Sequence, residues 1–380
     1  MQRTIFTGEH EEFRGIAREF YERHAVPNVE RWEAAGHGDR EAWLAAGELG
    51  LLGWEAPEEY GGLGIRDLRF NMIMAEEYYG TGATGLGFPL QNDIVIPYIV
   101  ELGDDSQKDR WLPALVSGRS ISALAISEPG AGSDVKSIRT TARPDGDGFV
   151  VNGSKTFISN GLLADLVIVA VKTDPAAGHR GISLLVVEDG MPGFTRGRKL
   201  DKIGQRSLDT AELHFEDVRV PRENLLGEEG RGFYLMMRNL ARERLGIAFT
   251  AVAQAKRALH LTREYAADRQ AFGQAIGTFQ VNRHALAEMH TELTIAEHYV
   301  DGAVMAANEG RLDDTEAAGA KWWTTELQWR VLDRCLQMFG GYGYINEYEI
   351  ARLWRDARVQ RLYGGTNEVM KDLVGRALER

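Results

Sequence analysis

The stretch from about 119 to 225 constrains the chain more than any other part of it. It is made of strand-like runs joined by short turns, with no helical period between them. Phe149-Val150-Val151, Leu166-Val167-Ile168-Val169-Ala170-Val171 and Ile182-Ser183-Leu184-Leu185-Val186-Val187 are rich in β-branched and apolar residues. Asn152-Gly153, lying between Val150-Val151 and Thr156-Phe157-Ile158, has the composition of a hairpin turn. Leu213, Phe215 and Val218 continue the strand texture, and Pro221 ends it. Strands that follow one another without crossover helices imply an antiparallel sheet or barrel, not a doubly wound parallel unit.

Helical texture lies on both sides. In residues 1 to about 118, Phe13, Ile16, Ala17, Phe20 and Tyr21 recur at helical spacing, and Pro27 falls where that helix is expected to stop. Residues 41–49 give another helix, with Gly50 and Gly53 as punctuation. The glycines of Pro57–Gly64 mark a loop. From 226 to 380 long helices return: 231–268 carries no proline, and 279–309 and 314–339 follow. The order is helices, strands, helices, in three domains spanning 1–118, 119–225 and 226–380. Crevices between such domains are where ligands are commonly held.

A chain of 380 residues, 44% hydrophobic, has ample core for that plan. A formal net charge of −12 excludes a nonspecific nucleic-acid binder, which needs surplus Lys and Arg. It fits a cytoplasmic protein kept apart by self-repulsion. The single cysteine, Cys335, rules out an intrachain disulfide and a multi-cysteine metal site, and no metal ligand set is expected. The N-terminal segment turns polar at once, with no secretory h-region, and no apolar run is long enough to span a bilayer.

Several segments carry chemistry, each with a plainer reading beside it. Ser127-Glu128-Pro129-Gly130-Ala131-Gly132-Ser133-Asp134 follows the apolar run Ile121–Ile126 and can form a tight turn with outward N–H groups, or simply a loop at a strand end. In Lys155–Gly161, Phe157 and Ser159 share a face by the two-residue period. An aromatic plane beside a hydroxyl suits a planar heterocycle, and a packed core Phe is the alternative. Arg269, ending a helix before Gln270-Ala271-Phe272-Gly273, can neutralise a diphosphate or sit on the surface.

Glu243 is more informative. Phe233, Met236, Leu240, Ile247 and Ala251 form a stripe in steps of three and four, and Glu243 falls on it. A carboxylate on a buried face either meets an Arg from another helix or is desolvated, which raises its pKa toward that of a useful general base. Near the C-terminus, Gly364-Gly365-Thr366 precedes a helical stretch beginning at Asn367. Thr366 is a natural N-cap, and the two glycines let a ligand approach the backbone.

Taken in order, Ala125–Asp134, Lys155–Gly161, Asp268–Gly273, Gln337–Gly343 and Tyr363–Thr366 resemble segments of the acyl-CoA dehydrogenase family, over essentially the whole chain. The resemblance implies a helical N-terminal domain, a central antiparallel β-barrel and a C-terminal four-helix bundle, with one FAD per subunit and a homotetramer built as a dimer of dimers. Position by position it implies that Ser127 and Ser159 meet the isoalloxazine edge and Phe157 its face, and that Ser133 contacts the pantetheine or CoA phosphate. Arg269, Phe272 and Gln280 would reach the FAD of a neighbouring subunit, and Gln337, Gly340 and Gly341 would follow its adenosine half. Thr366 and Glu368 would make contacts at the start of the last helix, with Glu368 where the family often has Gln. Arg244 and Tyr363 would line the substrate.

One position departs from the common pattern. Most of the family carries its catalytic Glu directly after the Tyr, where this chain has Gly364. Isovaleryl-CoA and long-chain acyl-CoA dehydrogenases share that absence and recruit a Glu in a context like Arg242-Glu243-Arg244-Leu245. The stripe and the resemblance thus converge on Glu243 as the base, with the Gly364 N–H polarising the thioester carbonyl. The implied activity is α,β-desaturation of an acyl thioester, with electrons passed to an electron-transfer flavoprotein. Desaturation on a carrier protein and oxygen-dependent acyl-CoA oxidation are related alternatives. The missing carboxylate at 364 also allows a silent flavin or acyl-CoA binding scaffold.

Overall fold

The computed structural model describes residues 3–379, so Met1, Gln2 and Arg380, at the outer ends of the expected 1–118 and 226–380 segments, lie outside it. The N-terminal part is helical: α1 (Gly8–Phe20), α2 (Val29–Ala35), α3 (Arg40–Glu48), α4 (Leu68–Thr81), α5 (Ile96–Leu102) and α6 (Asp105–Val116). Pro27 does not end the helical path. It sits in a 3₁₀ turn, Val26–Asn28, that hands a π-helical turn, Tyr21–Ala25, directly to α2. Proline needs no N–H donor at the start of such a turn, so the chain bends without unwinding.

The central strands are β1 (Ser122–Ala125), β2 (Thr141–Asp145), β3 (Gly148–Ser159), β4 (Leu166–Lys172), β5 (Ile182–Glu188), β6 (Phe194–Lys199), β7 (Thr210–Pro221) and β8 (Leu225–Leu226). Their order is β6-β7-β3-β2-β4-β5-β8, with β1 against β4. Two expectations change here. The pairings form an open path that is not closed as a barrel, and β1 runs parallel to β4, as does the single β2–β4 pair, so the sheet is mixed. Asn152-Gly153 is no hairpin turn either. Both residues lie inside the twelve-residue β3, where the register against β7 shifts between Val151 and Gly153. Thr140 leaves no room for a Cβ at Gly153, so the glycine marks a bulge beneath a close neighbour. The true β2–β3 turn is Gly146-Asp147.

β4 is a continuous apolar run because both its faces are covered. Leu166, Ile168 and Ala170 pack with α5 and α6 residues such as Tyr98, Ile99, Trp111 and Leu115, while Val167, Val169 and Val171 pack with Phe149, Leu185, Leu213 and Val218.

The C-terminal part holds α7 (Gly232–Asp268), a short β9–β10 pair (Gln270–Ala271, Gln274–Ala275), α8 (Gln280–Asn308), α9 (Asp314–Phe339), α10 (Glu349–Ala357) and α11 (Asn367–Leu378). α7 packs on α8 and α9, and α9 packs on α10 and α11. α4 joins this helical core: Leu68, Met72 and Ala75 meet Leu245, Phe249 and Val252 of α7, Met289 and Leu293 of α8, and Val331 and Cys335 of α9. α7 therefore runs past the N-terminal helices as well as its own neighbours, which is what positions Glu243. No helix among the described residues is long and apolar enough to cross a membrane.

Candidate active site

Glu243 lies in the first third of α7, turned toward α5. The Tyr98 hydroxyl donates to its Oε1 at 3.2 Å. Among the described residues Glu243 makes no ion pair, although arginines flank it on both sides: the Arg242 fork is spent on Glu55, donating to Oε1 at 2.9 Å and also to Oε2. Burial pushes the Glu243 carboxyl up to about 7, against the opposing pull of Tyr98, Arg244 and Arg242. The Tyr98 phenol is itself held well above its ordinary value by burial, so it remains a donor.

Gly364 faces the same side of α7 one turn further on. With φ +63° it occupies the left-handed region, and a Cβ there would collide with Ile247 Cδ1. Among the described residues no backbone hydrogen bond uses the Gly364 N–H. The next carbonyl is clamped: Lys321, fully buried on α9, donates Nζ to Gly365 O at 2.7 Å and to Asn367 Oδ1 at 2.9 Å. Thr366 caps α11, its hydroxyl accepting from Val369 N at 3.4 Å. Glu368, exposed in the first turn, is held below the usual carboxylate range by the helix N-terminal backbone and Thr366. Tyr363 is partly exposed. Arg244 is buried, forms no ion pair among the described residues and leaves Nε without a partner; burial lowers its pKa against Asp314 and Glu243.

A second group gathers at the end of β1 and β3. Thr156 N donates to Ser127 O at 3.0 Å, which sets Ser127 beside the segment carrying Phe157 and Ser159. The simple two-residue period does not hold there, because the β3–β7 register slips between Lys155 and Ile158 and Phe157 adopts φ +61°. The slip leaves the Phe157 ring 70% exposed while Thr156 and Ile158 are buried. Beneath it, Lys155 donates Nζ to Ile126 O and Glu128 Oε1, both at 2.9 Å, and Glu128 accepts from Arg139 N and Thr140 N. Burial brings Lys155 down to about 8 against the pull of Glu128, so the pair is charged at neutral pH. The loop beyond turns tightly, Glu128 and Ala131 exchanging backbone bonds, and exposes Ser133.

A third group lies at the far end of α7. Arg269 stacks over Tyr342 at 5.6 Å and lines, with Gln337, Gly340 and Gly341, a concave pocket of about 440 Å³. Phe272 is 97% exposed, and Gln280 is exposed at the start of α8. Twenty-six residues of one helix separate Glu243 from Arg269, about 39 Å. The first and third groups therefore cannot grip the same end of one ligand within one chain.

These residues fit an FAD. An exposed aromatic ring beside two hydroxyl side chains suits the isoalloxazine, and a cation with bare glycine backbone, where a Cβ at Gly340 or Gly341 would meet nothing within 4 Å, suits an adenosine diphosphate. Sequence reasoning missed Tyr98, Lys321 and the Lys155–Glu128 pair. Lys321 left a signal: it is the lone cation on the buried α9 stripe Ala317, Lys321, Thr324, Gln328. Nothing in sequence links Tyr98 to a carboxylate 145 residues away.

Comparison with known proteins agrees with this arrangement. The family models for the acyl-CoA dehydrogenase N-terminal, middle and C-terminal domains match residues 7–119, 123–218 and 230–379. The chain belongs to the acyl-CoA dehydrogenase family and is an oxidoreductase. It is 46% identical over 378 residues to the mitochondrial long-chain specific acyl-CoA dehydrogenase of Sus scrofa, covering 99% of this chain and 88% of that one. It is 41% identical over 320 residues to the mitochondrial isovaleryl-CoA dehydrogenase of Pongo abelii, covering 84% and 76%. The crystal structure of an acyl-CoA dehydrogenase from Geobacillus kaustophilus superposes with a TM-score of 0.96 at 47% identity, covering 99% of both chains.

Proposed function

We propose that this chain desaturates an acyl-CoA thioester between its α- and β-carbons, with Glu243 as the base. One observation carries the assignment of the base: a buried carboxyl with no cationic partner among the described residues, hydrogen-bonded by Tyr98, on the α7 face that Gly364 packs against. Near neutral pH such a group takes and releases a proton at little cost. The Gly364 N–H, without a protein partner among the described residues, donates to the thioester carbonyl and stabilises the enolate-like charge as the α-proton leaves. Lys321 holds that loop through Gly365 and Asn367. Arg244 and Ser133 meet the polar part of the substrate, and Tyr363 lines its acyl part.

Ser127, Phe157 and Ser159 hold the flavin ring. Thr366 and Glu368 bind the cofactor at the start of α11. Bound FAD supplies the acceptor for the β-hydride. Arg269, Phe272, Gln280, Gln337, Gly340 and Gly341 bind the FAD of a neighbouring copy, which their distance from Glu243 along α7 supports. The assembly is a homotetramer, and an electron-transfer flavoprotein reoxidises the enzyme. Domain limits near 118 and 225 belong to the same reading.

The deciding experiment is Glu243→Gln. The variant is expected to retain yellow, bound FAD and to lose anaerobic bleaching by acyl-CoA, with turnover down by about 10²–10⁴. Full bleaching at the wild-type rate would remove Glu243 from the role.

A further inference from the structure

A small cavity of about 50 Å³ lies between α4, the π-helical turn Leu90–Val95 that precedes α5, and α7. Its α7 wall is Phe249 and Thr250, two turns beyond Glu243. Its lining is mostly apolar, with Met74, Ala75, Phe88 and Phe249 among it, and a few polar side chains interrupt it. Asn71, 2% exposed, donates Nδ2 to Asp93 Oδ1 at 2.6 Å, while its own Oδ1 is buried and has no partner among the described residues. The other Asp93 oxygen points back along α7, standing 3.8 Å from where a Cβ on Gly246 would be. Tyr21, Tyr78, Tyr79 and Thr250 complete the lining.

A buried acceptor without a donor costs free energy, so each one asks what is meant to meet it. Burial pushes the Asp93 carboxyl up to about 6, so at neutral pH it is mainly a carboxylate, which only accepts. Arg242, the cation that draws it back down, already has its fork on Glu55. The cavity thus offers two acceptors, Asn71 Oδ1 and the Asp93 carboxylate, and calls for a donor. It lies on the α7 side that carries Glu243, with Gly246 and Ile247 between them on that face. Seven residues of α7 separate Glu243 from Thr250, roughly 10 Å, the reach of about eight methylenes.

We infer that this cavity is the distal end of the acyl site and selects thioesters bearing a hydroxyl about eight carbons beyond the α-carbon. The inference rests on Glu243 marking the reacting end. The volume suits a terminal hydroxymethyl group or one to two waters, each about 30 Å³. A plain methyl end would leave the Asn71 acceptor unmet.

The test uses Glu243→Gln holoenzyme, whose flavin spectrum reports occupancy without turnover. It is titrated with octanoyl-, decanoyl- and dodecanoyl-CoA and with their ω-hydroxy counterparts. The expected result is that the ω-hydroxydecanoyl thioester binds about tenfold tighter than decanoyl-CoA. The advantage is smaller at the two flanking lengths, and Asn71→Leu removes it. Equal affinity within every pair, or tighter binding of the plain chains, would overturn the inference, since it would mean that water satisfies the acceptors. Wild-type bleaching, measured alongside, separates the two readings. Hydroxyl preference without bleaching by any thioester would leave the subsite standing and fail the desaturation reading, whereas bleaching with no preference would do the reverse.

Discussion

Gly364 and Ile247 occupy one space: a Cβ on the glycine would overlap the isoleucine Cδ1, and the glycine's φ of +63° is itself in the left-handed region. Any side chain at 364, a catalytic carboxylate included, would have to displace a buried side chain one turn from Glu243. The glycine and the mid-helix glutamate are therefore two sides of one packing solution.

Gly364→Ala is expected to cost about 2–4 kcal/mol, from left-handed strain and overpacking together. Ile247→Ala in the same chain should recover the overpacking part. A double-mutant cycle by denaturant unfolding checks this, and additive costs would show that the two residues do not share the space.

The pH dependence follows from Glu243. As a base with a pKa of about 7, it should make kcat/KM rise with pH through about 7 and then level off. Tyr98→Phe removes a hydrogen bond that favours the carboxylate, so the midpoint should move up, with a loss of a few-fold at pH about 6.5 and little above about 8.5. Stability has the opposite sign. A carboxyl whose folded pKa exceeds its unfolded value stabilises the fold below about 4.5, and that contribution is lost as pH rises to about 7. Glu243→Gln should therefore be more stable than wild type at pH 8 and converge with it toward pH 4 in thermal melts.

Lys321→Met removes the amine that donates to Gly365 O and to Asn367 Oδ1, leaving Asn367 Oδ1 only the Thr325 hydroxyl at 3.2 Å. A loss of about 2 kcal/mol or more is expected. Because the same amine fixes the Gly364 loop, kcat should fall by more than stability alone explains. Stopped-flow flavin reduction well below the melting temperature measures that fall directly.

Lys155→Ala strips a buried carboxylate, Glu128, of its cation. Breaking such a pair costs about 3–5 kcal/mol. The loop carrying Ser127 is anchored by the same amine through Ile126 O, so the variant is also expected to release flavin more readily on gel filtration.

Much of this architecture was legible from local pattern. The helices α7, α8 and α9 match the expected proline-free or glycine-bounded stretches closely, because thirty-residue amphipathic periods leave few alternatives. Asn152-Gly153 misled because a bulge and a hairpin ask the same thing of a glycine, and only the partner strand tells them apart. The barrel and the purely antiparallel pairing failed for a related reason: which strands become neighbours is set by contacts across the sheet, not by strand texture. Glu243 stood out as a carboxylate on an apolar stripe, but the stripe could not say whether a cation met it.

By itself the sequence determined the helix–strand–helix order, the long α7 and the glutamate on its apolar face, since each depends on residues a few positions apart. Only the tertiary structure decided that Arg242 turns to Glu55, that Tyr98 reaches Glu243, and that Gly364 lies against Ile247. Those contacts join residues more than a hundred positions apart, and a period along one helix carries no information about what another segment brings to meet it.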